Sequence, residues 1–548
     1  MVKTRDLANS SMNASGVIVK AGEEFEKGRI LSEVVPEAYK KAHQQRLYHM
    51  HDLEFFTTTY NCIGVNVSDL LGAGAYTFRA AVRKLSREIV ALTNMQSGGI
   101  GFLNFDADMS AYVGEESAQE LAEEFRELFL DLNVYSRKGC EKAYVTFNFG
   151  LDESRKGRAV SLALLYAYGM GDGQGNPFIF PNLVFKLRQG SNVREGTANH
   201  DIYREALKST ARRMVPTYFN CDSLSNRGAD PAKIGIMGCR TRVVDNLYGE
   251  KSGLQRGNIA CVTLNLVQIA YGFAGDAEGF ILRLKEVMDE AKESLVFRFQ
   301  TLMEQADFSE VYRRRLYKDS EHGDAKLAFR NGTLAIGFIG LWDALSVIFG
   351  RRWSKVSDME EYLDEAFHII LVMREKTDFY TKACGLNFSL LASAAEGVSG
   401  NFASYDALHE GKGMEAAEKG YYSNSFHVPV NVAADFIEKI QFEGRFHHLC
   451  NGGSITYVEL DEMPEGNVEA VQEIVEYAYV NDCNYIGLNF PLDNCNSCGH
   501  IGRMGGCCPC CGSADIRRLR RVSGYLAEVD RFVTGKKFEL LDRVGHGK

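Results

Sequence analysis

Six cysteines crowd between Cys495 and Cys511. Cys495-x-x-Cys498 and Cys508-Pro-Cys-Cys511 form two C-x-x-C pairs separated by nine residues, and a glycine follows each pair (Gly499, Gly512). Such a glycine lets the backbone turn so that amides face the sulfurs. Four thiolates from two knuckles suit a tetrahedral structural zinc site; an iron–sulfur cluster is the other metal-bound reading, and a set of redox-sensing thiols the metal-free one. The second knuckle can also be drawn with Cys507 and Cys510, but Gly512 matches Gly499 only when Cys508 and Cys511 are the ligands. Downstream lies the basic run Ile516–Arg521, "IRRLRR". On its own it reads as a solvated or acid-paired helix face, or, with the cysteines, as a nucleic-acid-binding ribbon. Then comes R-V-S-G-Y-L, with Gly524 thirteen residues past Cys511. Glycine alone has no side chain, so a radical at its Cα can flatten and delocalise between amide and carbonyl. Taken bare, the same glycine is a turn residue.

The elements that must position these residues belong to a large, ordinary globular chain. It has 548 residues, 45% hydrophobic and 24% charged, with a net charge of −10. That balance fits a folded protein and lacks the basic footprint of a nucleic-acid binder. No apolar leader opens the chain. The most apolar run, Thr333–Gly350, contains Asp343 and is short for a membrane span; a buried helix is expected there, in a cytoplasmic protein. Eight further cysteines are scattered singly (Cys62, Cys140, Cys221, Cys239, Cys261, Cys384, Cys450 and Cys483). Most should be buried core.

Helical periodicity marks Phe78–Gln96, Glu115–Gly139, Ile281–Gln305 and Asp358–Cys384. Short β-rich runs lie among them at Ala143–Leu151, Phe178–Leu187, Asn258–Leu266, Ser454–Leu460 and Asn484–Phe490. Strands alternating with long helices predict an α/β barrel or sheet.

The cysteine pairs followed by R-V-S-G-Y resemble the C-terminus of the anaerobic (class III) ribonucleoside-triphosphate reductases, a glycyl radical enzyme family. The resemblance runs through most of the chain: "YHMHDLEFF" (Tyr48–Phe56), "NCIGVNVSDLL", "IMGCRTR" (Ile236–Arg242), "GNIACVTLNL" (Gly257–Leu266), "LLASAAEG" (Leu390–Gly397) and "YYSNSFHVPV" (Tyr421–Val430), in the family's order. It implies a ten-stranded α/β barrel over residues 1–490 and a zinc-bound radical module over 491–548. It implies that Gly524 stores the radical, Cys239 becomes the thiyl, Cys62 is the active-site reductant and Asn258 hydrogen-bonds substrate. Ser393, Ala394, Ala395 and Glu396 would bind substrate phosphates where a helix opens. His49 and His51 are substrate-site candidates, and Cys495, Cys498, Cys508 and Cys511 the zinc ligands.

The same resemblance implies reduction of a ribonucleoside triphosphate to its 2′-deoxy form. A radical-SAM activase, carrying a 4Fe-4S cluster and S-adenosylmethionine, would create the radical. The electron donor would be formate or a thioredoxin-like protein, with Cys261 and Cys450 as possible extra redox cysteines. A dNTP/ATP effector and a homodimer are expected, with Phe78–Gln96 and the following "SGGIGFLNFD" as a guess at the effector site. The His-Asp-Leu segment lies within the first fifty or so residues, so no N-terminal ATP cone and no cone-based control are expected. Two rivals stand: another glycyl radical enzyme of formate-lyase or dehydratase type, and a zinc-ribbon binding protein without catalysis.

Overall fold

The computed structural model describes residues 10–547 apart from 73, 75, 174, 175, 395 and 410–414. Its centre is a ring of ten strands. Five come from the first half of the chain: β2 (Ile63–Val65), β3 (Ile100–Phe102), β4 (Val145–Phe149), β5 (Asn182–Leu187) and β6 (Thr217–Asn220). They pair in sequence order and in parallel. Five come from the second half: β7 (Asn258–Asn265), β8 (Thr333–Ile339), β9 (Asn387–Ala392), β10 (Thr456–Glu459) and β11 (Tyr485–Asn489). Here β7, β8 and β9 run parallel, as do β10 and β11.

The halves meet antiparallel where β11 joins β6. Two single bridges close the rest of the ring, Gly64 to Arg256 beside β7 and Leu391 of β9 to Gly453 ahead of β10. A further short strand, β1 (Tyr48–Met50), lies antiparallel on β7. Both faces of β4, β5, β7 and β8 are buried, because helices cover the outside and loops fill the inside.

The expected helices form, except that Asp358–Cys384 is split between Val356–Glu360 and Leu363–Cys384. Thr77 caps Phe78–Thr93 by accepting from Ala80 N, and Phe78, Ala81, Val82, Leu85, Ile89 and Leu92 make one buried stripe. Ser117 and Glu120 close a capping box on Ala118–Leu132. Each fully buried Leu, Ile or Phe contributes about 1.5–3 kcal/mol. Two expectations fail. Thr333–Gly350 is not one helix: β8 ends at Ile339, Gly340 takes φ +76°, and a helix follows at Leu341–Phe349. A run that is apolar on both faces carries no period to separate strand from helix. No helix among the described residues is long and apolar enough to cross a membrane. Nor is "IRRLRR" a helix face. It is a strand, described next.

The C-terminal residues build a separate four-stranded sheet from β12 (Leu492–Cys495), β13 (Ile501–Gly502), β14 (Ile516–Arg521) and β15 (Leu526–Glu528), in the order β13-β12-β14-β15. β14 and β15 form an antiparallel hairpin. Its tip is Val522–Tyr525, closed by Val522 N donating to Tyr525 O at 3.1 Å. Arginines alternate in role along β14. Arg517 pairs with Glu528 at 2.9 Å and Arg520 with Asp493 at 2.6 Å. Arg521, only 3% exposed, points inward.

The connection between β6 and β7 folds back into the ring as a second hairpin. Met237 N donates to Thr241 O at 2.9 Å, and Gly238 at the tip has φ +71°. Glycines on the ring make room for it. A Cβ at Gly101 of β3 would lie 2.8 Å from Met237 Cγ and 3.0 Å from Ile236 O; one at Gly64 of β2 would lie 2.6 Å from Met237 Cε. Gly101→Ala is therefore expected to fold, at about 1–3 kcal/mol lower stability. Displacing the hairpin by up to 1 Å should reduce turnover by about 10²-fold. Urea unfolding alongside steady-state rates checks both.

Candidate active site

Both hairpins end at the same point. A side-chain carbon placed on Gly524 would fall 2.5 Å from Cys239 Cα and 2.6 Å from its carbonyl oxygen, and closer still to its Cβ. The α-hydrogen that stands where an L-residue carries its side chain thus points at Cys239. Any residue but glycine here would collide with the opposing hairpin.

Each tip is tied down by neighbours far away in sequence. Gly238 O accepts from Thr146 Oγ1 at 3.2 Å and Asn182 Nδ2 at 3.3 Å. Arg240 donates to the carbonyls of Ala392 (3.3 Å) and Ser393 (3.2 Å) and to Tyr457 Oη (3.3 Å). Opposite, Arg521 donates to Gly524 O at 3.2 Å, Leu488 O at 3.2 Å and Met214 O at 2.5 Å. The basic run, acid-paired at Arg517 and Arg520, thus ends in a buried guanidinium with a carbonyl on each nitrogen. The Tyr525 ring packs edge-on to Tyr144 (5.3 Å) and stacks near Phe180 (5.9 Å). Tyr144 in turn lies beside the Cys239 thiol and interacts with it.

Burial pushes the Cys239 thiol up, and the nearby Arg240 charge only partly offsets this. Cys62 follows suit. Burial raises it to about 12, although the Asn258 amide donates to its sulfur at 3.3 Å. Met237, two residues before Cys239, packs in the same small cluster as Cys62. Both sulfurs are therefore held as neutral S–H groups. That suits hydrogen-atom transfer and disfavours thiolate attack.

Asn258 is buried at the start of β7. Its carboxamide nitrogen faces Ala260 O (3.1 Å) and Thr333 O (2.9 Å), so its donors serve the sheet while its main-chain amide serves Cys62. His51 Nε2 contacts Thr263 Oγ1 at 2.8 Å, and Thr263 contacts Ser393 Oγ at 2.8 Å. His49 lies edge-on to His51 at 4.8 Å and 5.1 Å from His43. Burial lowers both His49 and His51, keeping them neutral. Asp52, left-handed at φ 52°, accepts from Asn61 (2.8 Å) and Ser97 (2.7 Å), bracing the chain just before Cys62.

Ser393 and Ala394 form the loop after β9, and Glu396 opens the helix Glu396–His409; Ala395 lies outside the described residues. The Glu396 carboxylate is engaged by the Gly524 hairpin. It accepts from Ser523 Oγ and from Tyr525 Oη, the latter at 3.0 Å. Of the two redox candidates, Cys450 is in the main apolar core, whereas Cys261 shares a face of β7 with Thr263 and feels the Cys239 thiol. In the guessed effector region, Ile100 and Phe102 are fully buried ring residues. The outer face of Phe78–Thr93 carries the exposed Arg79, Arg83 and Arg87.

Sulfurs of Cys495, Cys498, Cys508 and Cys511 all lie within 4.8 Å of one another, with Cys495–Cys511 and Cys498–Cys508 at 3.6 Å. Four thiolates about 2.3 Å from one zinc would stand about 3.8 Å apart, so the group is compatible with zinc. Gly499 (φ +74°) and Gly512 (φ +72°) make matching left-handed turns, and Cys507 and Cys510 are exposed outside the group.

A family model described as anaerobic ribonucleoside-triphosphate reductase matches residues 6–546. The chain belongs to that family. It is an enzyme, an oxidoreductase. It is 28% identical to the anaerobic ribonucleoside-triphosphate reductase of Escherichia coli strain K12, over 94% of this chain and 79% of that protein. It is 27% identical to the reductase of the same name from Enterobacteria phage T4, over 99% and 97%. The anaerobic ribonucleotide reductase of Thermotoga maritima, solved with dATP and CTP, superposes with a TM-score of 0.72 at 18% identity, covering 96% of this chain and 92% of that one. The mixed α/β fold expected from sequence is the fold of these reductases, and family membership sets aside the zinc-ribbon rival and the other glycyl radical enzymes.

Sequence reasoning missed Tyr144, Arg240, Arg521, Asp52 and the Glu396 carboxylate. Asp52 and Arg240 sat inside quoted motifs and were recoverable. Arg521 is the first residue of the R-V-S-G-Y motif, and Tyr144 lies in the strand run Ala143–Leu151 with nothing in that run to mark it as a site residue.

Proposed function

We propose that this chain converts ribonucleoside triphosphates to 2′-deoxyribonucleoside triphosphates without oxygen, with Gly524 as radical store and Cys239 as the thiyl. The observation that carries the reading is the meeting of the two hairpin tips, where a Cβ at Gly524 would overlap Cys239. An activase with a 4Fe-4S cluster and S-adenosylmethionine removes one α-hydrogen from Gly524. The Gly524 radical then takes the hydrogen atom of the Cys239 thiol. The thiyl takes the 3′-hydrogen of the ribose, and the 2′-hydroxyl leaves as water after protonation. Cys62 supplies a hydrogen from beside Cys239, and two electrons come from formate or a thioredoxin-like donor; Cys261 is the extra cysteine placed to take part in the second route. The 3′-hydrogen finally returns from Cys239, and the resulting thiyl takes a hydrogen atom back from Gly524, so that the radical is stored there again.

The main-chain amides of Ser393, Ala394 and Glu396, at the opening of the helix, suit the triphosphate. The ring of His49, His51 and Thr263 adjoins that loop. Asn258 orients Cys62. In this reading residues 1–490 are the catalytic barrel and 491–548 the radical module, acting in the cytoplasm, in a homodimer with a dNTP or ATP effector.

Cys495, Cys498, Cys508 and Cys511 would hold zinc, whose contribution is to stiffen the sheet that carries the Gly524 hairpin. Cys498→Ala should lose the metal and reduce radical yield at least about tenfold, as an order of magnitude for a misplaced group, with the barrel's far-UV circular dichroism unchanged. The deciding experiment is oxygen-free activation followed by assay of CTP and ATP, with formate and a redoxin as alternative donors. An organic radical doublet in the EPR spectrum together with 2′-deoxy product is expected. Absence of both under activation that works on the E. coli relative would overturn the reading.

A further inference from the structure

One short loop touches both hairpins. It runs from Ala392, the last residue of β9, to Glu396, the first of the helix Glu396–His409. On one side the carbonyls of Ala392 and Ser393 accept from Arg240, the residue after Cys239. On the other, the Glu396 carboxylate accepts from Ser523 and Tyr525, the residues on either side of Gly524. A phosphate near this loop would be repelled by that carboxylate and served only by main-chain amides. The carboxylate's two oxygens are instead divided between the two hydroxyls. A charged acceptor makes hydrogen bonds about twice as strong as a neutral one, and here it spans the residue that stores the radical.

Resting on the radical reading of Gly524 and Cys239, we infer that Glu396 is a positioning residue for the radical pair: its carboxylate grips Ser523 and Tyr525 so that Gly524 faces Cys239. Because the same residue opens the helix proposed above to face the substrate triphosphate, the loop would set the radical hairpin and the substrate in one register. The grip is not what keeps the hairpin folded. Arg521 holds the carbonyl of Gly524 and the rings of Tyr144 and Phe180 hold Tyr525 without it. Losing the carboxylate loosens alignment and leaves the fold.

The test uses the full chain with its metal, activated without oxygen, in four forms: wild type, Glu396→Ala, Glu396→Gln, and the double variant Ser523→Ala/Tyr525→Phe. The double variant leaves Glu396 and the loop amides intact, so it separates the grip from any direct contact of Glu396 with substrate. The expected result is a glycyl doublet of normal integrated intensity in all four. kcat should be about 10²-fold lower in the double variant and in Glu396→Ala, the size of effect a displacement near 1 Å produces. KM for the nucleotide should stay within about threefold in the double variant, as expected when an interaction outside substrate binding is lost. Glu396→Gln should recover at least tenfold of the loss, because its amide oxygen accepts from one hydroxyl while its nitrogen donates to the other. Wild-type kcat in the double variant, a loss confined to KM, or Gln no better than Ala would each overturn the inference. If Glu396→Ala loses its metal or its fold, Ser523→Ala alone, which removes a single oxygen atom, decides on the same kcat criterion. Wild-type chain that never yields a doublet defeats the underlying radical reading instead.

Discussion

Gly524→Ala, activated without oxygen, is expected to give no organic radical doublet and no deoxynucleotide. Two independent causes act together. The alanine methyl occupies the direction in which glycine presents its α-hydrogen to Cys239, so the hydrogen that would pass between the hairpins is gone. The same methyl overlaps the Cys239 main chain, so the tip must retreat. Arg521 resists that retreat, because its guanidinium is fixed to Gly524 O, Leu488 O and Met214 O. The full enzymic acceleration should vanish, at least about 10⁶-fold. The four-cysteine group lies away from the tip, so metal content should match wild type. Normal turnover in this variant would move the radical elsewhere.

Cys239→Ser is expected to give the opposite pairing: a full doublet and no product. The hydroxyl is close in size to the thiol and can still meet Tyr144, so the hairpin should stand. An O–H bond is much stronger than S–H, so the Gly524 radical cannot draw a hydrogen across. The doublet should persist when nucleotide and donor are added, whereas in wild type product accumulates. Turnover should fall to background, again about 10⁶-fold. The two variants therefore separate storage from use. A doublet missing from Cys239→Ser would mean that the thiol is needed to form the radical, and product from it would remove Cys239 from the reaction.

Much of the barrel is legible in the chain, and the unread parts have a common physical reason. β4, β5, β7, β10 and β11 each carry a β-rich run of four to eight residues and were recognisable. β2 and β3 are three residues each, "IGV" and "IGF", with a central glycine that lowers any strand signal. That glycine is there for the hairpin pressed against it, a tertiary cause invisible locally. β8 merged with its following helix because the strand is buried on both faces and the first five residues of the helix are buried too. Within the site, Gly524 and Cys239 were legible through motifs. Their juxtaposition was not, nor was the Glu396 grip, because Ser523 lies 127 residues from Glu396 along the chain. "IRRLRR" misled because six residues satisfy a helix face and a strand equally well. Only pairing with Asp493 and Glu528 decides between them.

The two single bridges that close the ring are also its seams. Cys62 and Asn258 sit on one, beside the Gly64–Arg256 bridge; the Ala392–Ser393 loop and the Arg240 hairpin sit on the other, where Ala392 N donates to Gly453 O at 3.0 Å and Arg242 N to Gly452 O at 2.9 Å. Short backbone bonds lace both seams: Asn61 N and Cys62 N donate to Asn258 O at 3.1 and 3.0 Å on the first, and Gly452 N donates to Leu390 O at 2.8 Å on the second. The chain thus carries its reacting groups where its two half-barrels join, so a shift of one half against the other changes the distances between them.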